Sequence, residues 1–155
     1  MTRRSVLVAL LAFVLALPAL AIAQTPNFSG KWIQDMEKSD PPMGGRGPAG
    51  PQSVTITQTA ADFTIERETP NGVMKTVYKL DGSESVNAMG RGGDVKSKSA
   101  WEGGKLVTKY SRTMGETTVE VTETRSLEGD AMVVVTATKG GPQGDTTRKV
   151  VFKKA

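Results

Sequence analysis

The sequence predicts an all-β protein, an antiparallel up-and-down barrel of about eight to ten strands behind a leader peptide. Three observations carry this. From Ser53 onward, apolar and polar residues alternate with a period of two. The alternating segments are rich in Thr and Val and are divided by short turns containing Gly, Pro, Asn or Asp. After the leader, no stretch sustains a helical period. An open meander of this length would expose two strand edges, and closing it removes them, which favours a barrel. A two-layer sandwich satisfies the same alternation.

The leader comes first. Arg3 and Arg4 form a basic start, Ser5 to Ala19 is an apolar run broken only by Pro18, and Ala21-Ile22-Ala23 supplies small residues for cleavage. These are the parts of a secretory signal peptide, with cleavage expected after Ala23. The apolar run is shorter than the roughly 20 residues of a spanning helix, so no stable membrane anchor is expected once it is removed. The expected location is secreted or periplasmic. Removing 23 of the 155 residues leaves 132, enough for one domain, residues 24–155, with one core. The leader holds two of the 20 basic residues and none of the 16 acidic ones, so the mature net charge is +2. The basic residues are scattered, which gives no support to nucleic acid as a partner.

Asn27 to Ile33 is expected to be the first strand, and Asn27-Phe28-Ser29 also fits a glycosylation sequon. Residues 36–52, dense in Pro and Gly, exclude regular structure and are expected to be a flexible loop. Ser53 to Thr59 alternates Val54 and Ile56 against Thr55 and Thr57, and Asp62 to Thr69 alternates Phe63 and Ile65 against Thr64 and Glu66. After the turn Pro70-Asn71-Gly72, Val73 to Leu80 puts Met74, Thr76, Tyr78 and Leu80 on one face. Asp81-Gly82 turns into a weak strand from Glu84 to Met89, which Gly90-Arg91-Gly92-Gly93 ends. Val95 to Trp101, Leu106 to Thr113, Thr117 to Leu127, Ala131 to Lys139 and Thr146 to Lys154 complete the meander.

Composition excludes several chemistries. The chain has no Cys and no His, so it offers no disulfide and no thiol nucleophile, and it lacks the commonest general base, zinc ligand and haem ligand, although carboxylate pairs could still act as acid and base. No clustered Asp/Glu loop points to a metal. Neither Gly-rich stretch follows the strand-to-helix pattern of a phosphate loop. No cofactor is expected, and the expected class is non-enzymatic.

Phe28-Ser29-Gly30-Lys31-Trp32 resembles the opening strand of the calycin superfamily, the lipocalins and fatty-acid-binding proteins. Trp101-Glu102-Gly103-Gly104-Lys105-Leu106 is similar to a hairpin of the fatty-acid-binding proteins. Thr124-Arg125-Ser126-Leu127 and Thr147-Arg148 resemble strands of their retinoid-binding relatives. The resemblance spans most of the mature chain through short motifs and implies a lipocalin-like barrel. It implies that Trp32 plugs the closed end, that Gly30 lets the chain pass close by, and that Arg148 packs over that Trp and ties down nearby backbone. Two departures stand out: the Gly/Pro loop occupies the place of the intracellular families' helical lid, and Val150 stands where they carry a Tyr, with an aromatic only at Phe152.

Alternation assigns the candidate site. Val119, Val121, Glu123, Arg125 and Leu127 share one face, Arg148, Val150 and Phe152 another, and Leu106, Thr108, Tyr110 and Arg112 a third. Inward-facing Arg125, Arg148 and Arg112 would accept a carboxylate or phosphate through charge-assisted hydrogen bonds. The expected ligand is a small lipophilic or amphipathic anion, its head at Arg125 beside Tyr110 and its tail against Met74, Tyr78 and Leu106. Glu123 pairs with Arg125 without a ligand in the competing reading. There the barrel is filled by its own side chains, Trp32, Trp101, Tyr78, Met74 and Phe152, and serves as a structural or interaction module. Cavity volume separates the two.

Overall fold

The computed structural model describes residues 25–42, 50–88 and 93–155. The expected leader and cleavage position, within residues 1–24, residues 43–49 of the Gly/Pro loop, Met89, and Gly90 to Gly92 lie outside the described residues. Those described form ten strands and no helix: β1 (Gly30–Asp35), β2 (Ser53–Gln58), β3 (Asp62–Thr69), β4 (Gly72–Lys79), β5 (Glu84–Ala88), β6 (Asp94–Glu102), β7 (Lys105–Met114), β8 (Thr117–Glu128), β9 (Ala131–Gly141) and β10 (Gly144–Lys154). They make one antiparallel sheet in the order β4-β3-β2-β1-β10-β9-β8-β7-β6-β5. Pairing of β1 with β10, from Trp32 opposite Lys154 to Asp35 opposite Val151, curls the meander into a barrel.

The ring is not closed by main chain everywhere. Strands β4 and β5 stand next to each other but do not pair, leaving a seam. Side chains of β5 bridge it. Asn87 accepts from the Val77 amide (2.8 Å) and donates to the Val77 carbonyl (2.9 Å), and the Ser85 hydroxyl accepts from the Lys79 amide (2.8 Å). This corrects the expectation that closure removes both edges. The edges persist, and inward polar side chains satisfy the main-chain groups that a neighbouring strand would otherwise take.

The first strand starts at Gly30, three residues later than its sequence suggests. Phe28 turns into the core instead, and side chains clamp the entry: Gln58 accepts from the Phe28 amide (3.0 Å) and donates to the Pro26 carbonyl (2.9 Å). Gly30 takes φ +130°, a conformation that disfavours any side chain. Burial follows the alternation along β2, β4, β5 and the first half of β8. Strand β9 departs from it, because Met132 faces the lumen while Val133, on the other face beside Val151, is also buried.

One end of the barrel is filled. Phe28, Trp32, Phe63, Tyr78, Leu80, Leu106, Met132 and Phe152 pack into a continuous apolar base, with Trp101 partly buried against it. Phe28 meets Phe63 edge-on (5.8 Å between centroids) and stacks on Trp101 (6.1 Å). Trp32 is buried in this base, and its indole N–H donates to the Phe28 carbonyl at 2.7 Å. Lys154, not Arg148, lies over the Trp32 ring (5.3 Å). The cause is register: Trp32 sits opposite Lys154, six residues along β10 from Arg148.

Candidate functional site

Above the apolar base the lumen opens into a cavity of about 450 Å³. Val54, Ile56 and Ile65 of β2 and β3 form one apolar wall, and Met132, Val134, Val150 and Phe152 of β9 and β10 the other. Between them the lining is polar and mostly cationic: Arg67, Arg112, Arg125 and Arg148, with Tyr110 and Glu123. Described residues on both sides of the long loop's undescribed part reach this space too, since Pro42 and Gln52 line it. The approach to Pro42 is fixed on β10, where the Asp40 amide donates to the Lys149 carbonyl (2.8 Å) and the Ser39 hydroxyl accepts from the Val151 amide (2.9 Å).

Arg125 is the most buried of the four arginines, 6 % exposed. It enters because β8 must point Val119 and Val121 inward, and residues two apart on a strand share a face. Its guanidinium lies over the rings of Tyr78 (5.7 Å) and Phe63 (5.8 Å). One amino group donates to Glu123 Oε2 at 2.5 Å, and Tyr110 donates to Glu123 Oε1 at 3.0 Å. The other amino group, Nη1, is buried with no hydrogen-bond partner among the described residues. A buried charge is tolerated when it is paired, and half of this guanidinium is paired.

The electrostatics follow from that geometry. Burial by itself pushes the Glu123 carboxyl up, but the Arg125 charge and the hydrogen bonds from Tyr110 and Arg125 outweigh it, so its pKa lies below the ordinary carboxylate value. Burial and the adjacent Glu123 charge push the Tyr110 phenol up, and burial raises Tyr78 as well. At neutral pH the site therefore holds an ionised Glu123, neutral tyrosines and charged arginines.

Arg125, Tyr110, Arg112 and Arg148 are brought together at this cavity, as their strand faces predict. Met74, Tyr78 and Leu106 are not part of its lining: Leu106 and Tyr78 belong to the packed base, and half-buried Met74 sits opposite Arg67 on β4. The apolar walls come from β2, β3, β9 and β10 instead. Arg67 escapes the sequence-based assignment, although it continues the inward series Phe63, Ile65 on β3. Extending that alternation by one more step would have found it. Lower down, Ser99 and Thr108 share a buried hydrogen bond of 2.7 Å. No group of three or more Asp or Glu capable of holding a metal occurs among the described residues.

Comparison with known proteins gives no match to any family model or curated sequence. Solved structures do match. Human cRBP IV aligns at 21 % identity over 84 % of this chain and 99 % of its own, with a TM-score of 0.61. The secretary abundant heat soluble (SAHS) protein from Ramazzottius varieornatus aligns at 16 % identity over 83 % and 95 %, with a TM-score of 0.62. The REP1-NXSQ fatty acid transporter aligns at 16 % identity over 82 % and 95 %, with a TM-score of 0.61. These likenesses show the fold, a lipocalin-like antiparallel barrel. In this barrel the ten-strand meander, the filled base around Trp32 and the open upper lumen fall into one continuous architecture.

Proposed function

We propose that this barrel is an exported, non-enzymatic carrier that binds a small amphipathic anion in its lumen. The observation that carries the reading is a cavity of about 450 Å³ in which a buried arginine, Arg125, keeps an N–H without a partner among the described residues, between two apolar walls. An anionic head would accept from Arg125, with Arg148 and Arg112 adding charge. An apolar tail would lie between Val54, Ile56 and Ile65 on one side and Val134 and Val150 on the other. The similarity to a fatty acid transporter fits such a ligand class. The filled base accounts for half of the competing interaction-module reading. The cavity above it favours binding.

Displacement of a dansylated undecanoate probe by decanoate tests this. The expected result is saturable one-to-one binding that Ile65→Trp, which fills the cavity from an apolar wall, abolishes. Arg125→Gln is expected to weaken decanoate by roughly tenfold or more, as loss of a charged hydrogen bond does. Binding that survives Ile65→Trp unchanged in a folded variant would place the ligand elsewhere and defeat the reading.

A further inference from the structure

The lumen carries more positive charge than a monovalent head group offsets. Four arginines line it, and Glu123 is the one carboxylate among its described lining residues. Glu123 is already engaged by Arg125 and Tyr110. Among the described residues, neither Arg67, Arg112 nor Arg148 lies within salt-bridge distance of any carboxylate. Asp40 does not fill that place for Arg148. Its carboxylate accepts from the Lys149 amide (2.6 Å), and it offers Arg148 only a carbonyl oxygen at 3.5 Å.

One nitrogen on each of three of these arginines is also cut off from solvent. Arg67 Nε, Arg148 Nε and Arg125 Nη1 are each buried without a hydrogen-bond partner among the described residues. They belong to three strands, β3, β10 and β8, that line the same cavity. Three unanswered guanidinium N–H groups around one space, with a net excess of three positive charges, suit an oxyanion with several acceptor oxygens and more than one negative charge.

We propose that the lumen binds an amphiphile whose head group is a dianionic oxyanion, as a phosphate monoester is near neutral pH, held by Arg67, Arg125 and Arg148 with Arg112 beside them. This rests on the carrier reading of the same cavity and adds the charge of the head and the role of Arg67. A monocarboxylate would leave two of the excess charges unmatched.

The test is isothermal titration of the whole protein with decyl phosphate, decyl sulfate, decanoate and inorganic phosphate, at pH 8 and pH 5. Sulfate and phosphate esters share a tetrahedral shape, and the phosphate alone gains a second charge, near pH 6. The ionisable groups facing the cavity are Arg67 on β3, Tyr110 and Arg112 on β7, Glu123 and Arg125 on β8, and Arg148 on β10, with Tyr78 of β4 behind Arg125. The arginines stay charged, Glu123 is held ionised and the tyrosines neutral across this interval, so a change in preference belongs to the ligand.

Decyl phosphate is expected to bind at least about tenfold tighter than decyl sulfate or decanoate at pH 8, with the advantage over decyl sulfate, which stays monoanionic throughout, falling to about threefold or less at pH 5. Arg67→Gln is expected to erase most of that advantage while leaving decanoate affinity within about threefold, and Arg148→Gln to weaken decyl phosphate by a larger factor than decanoate. Equal affinities for the three amphiphiles at pH 8 would overturn the dianion and leave the carrier reading standing. No binding by any of the four would overturn both. Inorganic phosphate binding as tightly as decyl phosphate would support the dianion and remove the apolar tail from the ligand.

Discussion

Glu123 holds Arg125 with one oxygen and Tyr110 with the other, so a single carboxylate sets the charge and geometry of the upper lumen. Removing one partner of a buried pair costs about 3–5 kcal/mol, because the other charge is stranded. Glu123→Gln is accordingly expected to lower unfolding free energy by about that range, while freeing the Arg125 guanidinium to bind decanoate more tightly. Urea denaturation and titration of the same variant check both halves. Opposite signs for stability and affinity are the diagnostic result. The pH dependence has a definite sign. A carboxyl with a depressed pKa in the fold contributes stability that is present above its ordinary value of 4.5 and is lost as pH falls through the lowered value. Wild-type stability is expected to fall on acidification below pH 4.5, and the Glu123→Gln curve to be flatter there. Urea midpoints across that range measure it. At this scale the sequence was informative where parity alone decides. Arg125, Glu123, Tyr110, Arg112 and Arg148 follow from counting by twos. Arg67 follows from the same rule, but it stands between Glu66 and Glu68 and looks like part of a solvated charge run. The exchange of Lys154 for Arg148 over Trp32 was out of reach, because periodicity fixes a face but not which residue of a distant strand lies opposite.

Strand β5 shows what alternation leaves unsaid about elements. Its inward residues, Ser85 and Asn87, are polar, and the segment accordingly looks weak as a strand. The structure gives the reason: these side chains complete the hydrogen bonds of β4 across the seam. Asn87→Ala would strand the amide and carbonyl of Val77, at about 1–3 kcal/mol for a buried group left without a partner. Hydrogen exchange is expected to accelerate at Val77 in this variant while amides along the β8–β9 pair stay protected. Uniform acceleration across the sheet would show that the seam is not an independent unit of opening. The turns were legible because Gly, Asn and Asp mark them. Gly103 and Gly104, for example, both take positive φ in the tight β6–β7 connection. The bounds of β1 were less legible, because Phe28 is drawn into the core and the Gln58 side chain, distant in sequence, does the work of a strand neighbour. In β9 the run Met132-Val133-Val134-Val135 carries no alternation, since both of its faces are apolar.

Across the whole molecule, the barrel combines a packed base with an open, cationic upper lumen, and the sequence contains both halves without saying how they share the volume. Counting aromatic residues predicts a plug; only their placement shows that the plug stops below Arg125. The order of strands has a separate consequence. Every neighbouring pair in the sheet is close in sequence except β1 with β2, across the long loop, and β1 with β10, where residues near opposite ends of the described chain meet. Ala155 donates to the Lys31 carbonyl at 3.0 Å, so the start of β1 lies against the residue that follows β10, whereas the sheet breaks at β4 and β5. A circular permutant that joins these ends through a short flexible linker and is cut between Leu80 and Glu84 would run β5 through β10 and then β1 through β4, matching chain order to sheet order. Its most distant pairing becomes a near one, and lower contact order speeds folding. Stopped-flow refolding is expected to be faster for the permutant than for the natural connectivity, and equal or slower refolding would mean that zipping β1 onto β10 does not set the pace.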